Sequence, residues 1–149
     1  MHSHELDTQL DTSILVRAAP HKVYDAIATA EGLDGWFTAG AEVDARPNGH
    51  IRFRWREWGA NNYTGEDGGP VLQAERPHVF EFQWHPDGPA YATTVRIEFA
   101  THLQGTLVRL TERGFRDTAA GRRRQLDCAA GWGEALALCK IWVEHGVRY

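Results

Sequence analysis

The sequence predicts an α+β fold: an antiparallel sheet of six or seven strands curved around one long C-terminal helix, with two short helices after the first strand. Three observations carry this. The segment 122–146, RRRQLDCAAGWGEALALCKIWVEHG, lies in the longest stretch without Pro and has helical periodicity. The middle of the chain alternates apolar and polar residues in one short stretch after another, with turn residues between them. No other segment is long enough to cover the apolar face that such strands share.

Taken in order, residues 1–9 are polar and are expected to fray at their start. Leu10 to Ala18 reads as a first strand. Ala19-Pro20 ends it and opens a helix, because Pro suits the first helical turn. That helix, HKVYDAIATA, offers Val23, Ile27 and Tyr24 to a core. A second short helix, EGLDGWF, presents Leu33, Trp36 and Phe37. Glu42 to Ala45 is a short strand before the turn Pro47-Asn48-Gly49. From His50 to Trp58 the chain alternates, with Ile51, Phe53 and Trp55 on one face and Arg52, Arg54 and Arg56 on the other.

Residues 59–70, GANNYTGEDGGP, read as a long Gly-rich loop. Val71 to Glu75 is the next strand. Val79 to Trp84 puts Phe80, Phe82 and Trp84 inward. Thr93 to Ala100 does the same with Val95, Ile97 and Phe99, and Thr106 to Glu112 with Val108 and Leu110. Gly114 to Gly121 leads into the long helix. About 24 helical residues span roughly 36 Å. Gln125, Cys128, Ala129, Ala135, Leu136, Cys139 and Val143 fall on the side of Trp132. Leu138 and Ile141 lie off that stripe, so this helix is covered on more than one side. Gly131 and Gly133 flank Trp132. Each costs about 1 kcal/mol of helix propensity relative to Ala, which points to a close approach beside the indole.

The chain has 149 residues and suits a single domain over 1–149. It is 42% hydrophobic and 24% charged, as soluble globular proteins are. A net charge of −4 gives no reason to expect nucleic acid or an anionic membrane, and the Arg122–Arg124 cluster reads as a solvated helix start. No apolar run approaches the roughly 20 residues of a membrane span and no leader is visible, so a cytoplasmic protein is expected. Cys128 and Cys139 share one helix face but stand about 16 Å apart along the axis, too far to bridge. His2 and His4 could bind a metal ion adventitiously but are not expected to do so functionally, and the His are scattered.

No phosphate loop, HExxH or GxSxG motif is present. Six Trp is a high number for this length. Trp36, Phe53, Trp55, Phe82, Trp84 and Trp132 come from different elements and converge on the space between sheet and helix. They either fill a core or line a pocket. Glu112, counted by twos from Val108 and Leu110, faces inward at the end of its strand. It either orients a ligand or acts as an acid or base, or the strand stops short and it meets water or an Arg. His85, Tyr91 and Tyr63 are weaker candidates, expected at a rim or in a loop.

The order of elements, with AAPHKVYDAIATAEGLDGWF, GGPVLQAERPHVFEFQW, GTLVRLTERGF and AAGWGEALALCKIWVEHG, resembles the START-like (SRPBCC) superfamily and its helix-grip fold. Within it the chain looks like the branch named for activators of the Hsp-90 chaperone ATPase. The resemblance covers nearly the whole sequence. It corresponds to one of the two domains of the eukaryotic activators, so chaperone activation is not carried over. What it implies is a cavity for an apolar ligand between sheet and helix; some relatives are cyclases or aromatases, others carriers or self-resistance proteins. The residues expected to line that cavity are Trp36, Phe53, Trp55, Phe82, Trp84, Glu112, Cys128 and Trp132. No catalytic residue, metal or cofactor is assigned.

Three functions stay open. One is binding of a small apolar molecule, aromatic or polyketide- or lipid-like. The second is an enzyme of cyclase, aromatase or hydrolase type, which needs at least two convergent ionisable groups. The third is a protein-interaction module of chaperone-activator type, with a filled core and a large exposed apolar patch. A homodimer is also open, through a sheet edge, a loop or the helix side around Leu138 and Ile141, and not through the Arg52–Arg56 face.

Overall fold

A computed structural model of the chain describes residues 4–149. Seven strands form one antiparallel sheet in the order β1-β7-β6-β5-β4-β3-β2. They are β1 (Leu10–Val16), β2 (Glu42–Val43), β3 (His50–Trp58), β4 (Tyr63–Glu75), β5 (Val79–Trp84), β6 (Thr93–His102) and β7 (Gly105–Arg113). Helices α1 (Pro20–Ala28) and α2 (Ala30–Trp36) follow β1, and α3 (Ala119–His145) follows β7. Strands β2 to β7 meander, and β1 closes onto β7. The helix-grip architecture expected from the sequence is the one observed.

Short-range chemistry sets the helix ends. Pro20 opens α1. The Thr29 hydroxyl accepts the Gly32 N–H at 2.9 Å and caps α2. Thr118 does the same for Gly121 at 2.9 Å, which starts α3 three residues before the predicted Arg122. Gly146 ends α3 in the left-handed conformation (φ 67°), where a residue without Cβ is unstrained.

Alternation correctly assigns the faces of β3, β5, β6 and β7. Ile51, Phe53, Phe80, Phe82, Val95, Ile97, Val108 and Leu110 are all buried. Helix α3 crosses this face with Trp132, Ala135, Leu136, Cys139 and Val143 inward. Its flank is held by β1 and the residues around it. Lys140 Nζ donates to the Leu15 carbonyl at 2.5 Å, and Glu144 accepts the Arg17 N–H at 2.8 Å. Leu138 and Ile141 are consequently half-buried.

One expectation about the strands needs correction. Residues 63–70 are not loop: they form the first half of a 13-residue strand, paired with β3 from Tyr63 to Pro70. The glycines sit there because backbones pass too closely for a side chain. A Cβ at Gly68 would run into the Ile51 carbonyl, and one at Gly69 into that of Gln83. The N-terminal stretch is tied down where it is described, and the start expected to fray lies outside the described residues. Glu5 bridges Arg116, and the Leu6 N–H donates to the Phe115 carbonyl at 2.7 Å. His2 lies outside the described residues.

On the opposite face of the sheet, Arg52 pairs with Glu66 at 3.0 Å, and Arg54 pairs with Glu42 and Glu66 at 2.5 and 3.3 Å. Among the described residues, no helix is long and apolar enough to cross a membrane.

Candidate ligand cavity

Period 2 in β3 and β5 and the helical period of α3 bring one set of rings together. Trp84 stands 5.3 Å from Trp132 and 6.0 Å from Trp55, ring centre to ring centre. Phe37, just past α2, contacts Trp55 at 5.5 Å, Trp58 at 5.1 Å and Trp132 at 6.0 Å. Tyr63 closes on Trp55 at 5.5 Å. These rings enclose an open-mouthed cavity of about 280 Å³ between the sheet and α3. Asp67, His85, Arg124, Cys128 and Gly131 complete much of its wall.

Glu112 lies behind the wall and is fully buried. Its Oε1 accepts the Trp132 indole N–H at 2.9 Å. Its Oε2 accepts the Trp84 indole N–H at 2.8 Å and the Thr93 hydroxyl at 2.6 Å. Burial pushes this carboxyl above the usual carboxylate range, while the three donors pull the other way. A single carboxyl thus joins β5, β6, β7 and α3, and it fixes two of the cavity's rings.

Asp67 reaches the wall because β4 pairs it with Phe53, so both occupy the inner face. Its carboxylate accepts the Gly68 N–H at 2.7 Å and the His85 N–H at 2.9 Å. His85 Nδ1 stands 3.2 Å from the Gly68 carbonyl and 3.4 Å from Asp67. Arg124 approaches Asp87 at 3.5 Å.

Of the eight residues expected in the cavity, Trp55, Trp84, Cys128 and Trp132 form part of its wall, and Glu112 lies one layer deeper. Trp36, Phe53 and Phe82 do not reach it. Trp36 stacks on Phe37 at 4.8 Å and donates its N–H to the Ala26 carbonyl at 2.9 Å. Phe53 stacks on Trp55 at 5.3 Å and contacts Phe82 at 5.4 Å. All three border only a void of about 10 Å³, so they are packed core. Period 2 assigns a face to a ring but not its distance from the open end.

Cys128 and Cys139 are both free thiols. Burial, and then the charge of Glu112, raises the Cys128 pKa far above a free thiol's; burial alone raises that of Cys139 to about 12. Both are protonated and unreactive at neutral pH. The close approach expected at Gly131 and Gly133 is not made by protein, since a Cβ at either would meet nothing within 4 Å. Gly131 opens onto the cavity instead. Of the weaker candidates, His85 and Tyr63 are on the wall; Tyr91 is elsewhere, bonded to Asp87 at 2.6 Å. Among the described residues, no group of three His, Cys, Asp or Glu is placed to hold a metal.

A family model described as Activator of Hsp90 ATPase homolog 1-like protein matches residues 17–141. The chain belongs to this family. The Activator of Hsp90 ATPase homolog 1-like assignment bears out the resemblance read from the sequence. Solved structures of similar proteins agree in fold. Protein SSP2350 from Staphylococcus saprophyticus is 22% identical, with 95% of this chain and 96% of that one aligned at a TM-score of 0.77. The Aha1 dimer from Colwellia psychrerythraea is 22% identical over 93% of this chain and 98% of that one, TM-score 0.76. DynU16, from the dynemicin biosynthetic locus, is 16% identical; 97% of this chain aligns with 51% of that one, TM-score 0.78. Identities this low show the fold alone. No curated protein matches the sequence.

Proposed function

We propose that this member of the Activator of Hsp90 ATPase homolog 1-like family binds a small, mainly apolar molecule between the sheet and α3. The observation that carries this is the aromatic cavity of about 280 Å³, near the lower end of ligand pockets. A space of that size suits a compact aromatic or polyketide-like body better than a long lipid chain. Glu112 supports the reading from behind, by holding Trp84 and Trp132 in fixed orientations. The test is a fluorescence titration with an uncharged dye, N-phenyl-1-naphthylamine, on wild type and Gly131→Leu. Saturable binding that the leucine abolishes is expected. Equal binding by both proteins would move the dye out of this cavity.

The Asp67–His85 pair favours one second reading, an enzyme in the same cavity. His85 would act as a general base, with Asp67 and the Gly68 carbonyl orienting it. An ester-hydrolysing member should lose about 10²–10⁴-fold in turnover of p-nitrophenyl esters on His85→Gln, with dye binding kept. Turnover unchanged by that substitution would remove this reading.

For assembly we propose a homodimer, by analogy with the Colwellia psychrerythraea dimer, that leaves the ion-paired Arg52–Arg56 face outside the interface. Light scattering on wild type and Arg52→Glu tests this. Dissociation of a dimer by that substitution would refute it.

A further inference from the structure

The wall of the cavity has a chemical sign. Trp84 and Trp132 both commit their indole N–H groups to Glu112, so what they offer a ligand is their rings. Trp55, Trp58 and Tyr63 add further rings to the same wall. Aromatic faces carry negative potential. The wall's donors are the buried Trp58 indole N–H, which has no partner among the described residues, and Arg124; its acceptor is a carboxylate. Asp67 presents a carboxylate whose side chain is 14% exposed. His85 Nδ1 faces the Gly68 carbonyl, which can only accept, so Nδ1 carries a proton and is turned away from any ligand anion.

The charges nearby do not cancel this. Glu66 also borders the cavity, but its carboxylate is paired with Arg52 and Arg54 and so adds little charge. Arg124 is the cation of the wall, and Asp87 offsets it from 3.5 Å. An uncharged apolar ligand would meet the rings but would leave the Asp67 carboxylate with the Gly68 and His85 N–H groups and the His85 ring as its partners, and no fixed cation. An anion would meet π faces and a carboxylate.

We propose that the cavity selects a cationic ligand, a quaternary-ammonium or comparable ammonium head on a small apolar body. The head sits among Trp55, Trp58, Trp84 and Trp132, with Asp67 as its counter-charge. This rests on the ligand-cavity reading above. The physical basis is cation–π attraction in a partly dry site, reinforced by a short-range ion pair.

The test compares two probes of equal shape, benzyltrimethylammonium and its uncharged carbon isostere neopentylbenzene, by quenching of tryptophan fluorescence. The cation should bind wild type at least about ten-fold more tightly, a difference of about 1.4 kcal/mol. Asp67→Asn should weaken the cation by about ten-fold and leave neopentylbenzene within about two-fold. Arg124→Gln, at a half-exposed position, should strengthen the cation by about two- to five-fold through loss of repulsion. Melting curves on both variants establish that they are folded, and the wild-type comparison needs no variant. The proposal is overturned if neopentylbenzene binds wild type as tightly as the cation, or if the variants shift both probes alike. Binding of neopentylbenzene alone removes the charge assignment and keeps the cavity reading. Binding of neither probe removes both.

Discussion

The Trp132 indole N–H donates to Glu112 Oε1 at 2.9 Å and so fastens the long helix to the last full strand beneath the cavity. With Trp84 and Thr93 on the other oxygen, three buried donors depend on one carboxyl. Removing it strands all three. Each buried unsatisfied donor costs about 1–3 kcal/mol, so Glu112→Ala should lower stability by at least about 3 kcal/mol in a urea melt. Glu112→Gln keeps one oxygen and should lose less. An alanine variant within about 1 kcal/mol of wild type would show that water enters and satisfies the indoles.

The same carboxyl predicts a pH dependence. Burial raises its folded-state pKa above the value of 4.5 that it has unperturbed. The folded state therefore binds the proton more tightly than the unfolded state. The favourable contribution is present in full below the unfolded pKa and is lost as pH rises through the folded pKa. Glu112→Gln has no such proton. The stability of wild type relative to the glutamine variant should fall as urea melts move from acid toward neutral pH. Two curves that stay parallel across that range would place the Glu112 pKa at its ordinary value.

Thiol chemistry gives an independent check on packing. Both cysteines are free, and burial raises both pKa values, that of Cys139 to about 12. Iodoacetamide at neutral pH should label native protein slowly and label two sites in denaturant without reductant, counted by mass spectrometry. Any labelling of native protein should fall on Cys128, which is half-exposed on the cavity wall, before the buried Cys139. Occupation of the cavity by N-phenyl-1-naphthylamine should slow it further. Rapid labelling at Cys139 would mean that the α3 core face opens readily.

The contrast between β3 and β4 explains how much the sequence could reveal. In β3, apolar Ile51, Phe53 and Trp55 alternate with Arg, so its face is legible from residue type alone. In β4, Gly65, Gly68 and Gly69 carry no side chain to reveal a face; Gly65 makes room for the Tyr63 ring, and Gly68 and Gly69 for the backbone of β3 and β5. That concealed Asp67, which becomes an inward carboxylate only through its pairing with Phe53. Glu112 was legible as inward because it continues an unbroken count from Val108. Its three partners were not, since they come from β5, β6 and α3. Likewise Phe53, Phe82 and Trp36 read the same as Trp55 and Trp84. Only the path of α3 decides which rings it covers and which stay open opposite Cys128 and Gly131.

The two glycines beside Trp132 separate stability from binding within one helix. Both sit inside α3, where Gly is about 0.8–1.0 kcal/mol less favourable than Ala, and neither has a protein atom within 4 Å of where a Cβ would stand. Gly133→Ala should raise stability by up to about 1 kcal/mol and leave the affinity for N-phenyl-1-naphthylamine unchanged, because Gly133 is exposed. Gly131→Leu should also gain about 0.5–1 kcal/mol of helix propensity, but its side chain enters the cavity and should cut dye affinity at least about ten-fold. A carrier site must be kept open by a residue that helix stability alone would not choose. The expected pattern is therefore two stabilised variants, one of which no longer binds. If Gly131→Leu instead destabilises the protein, the space beside Trp132 is already closed in solution, and the cavity is not the site of binding.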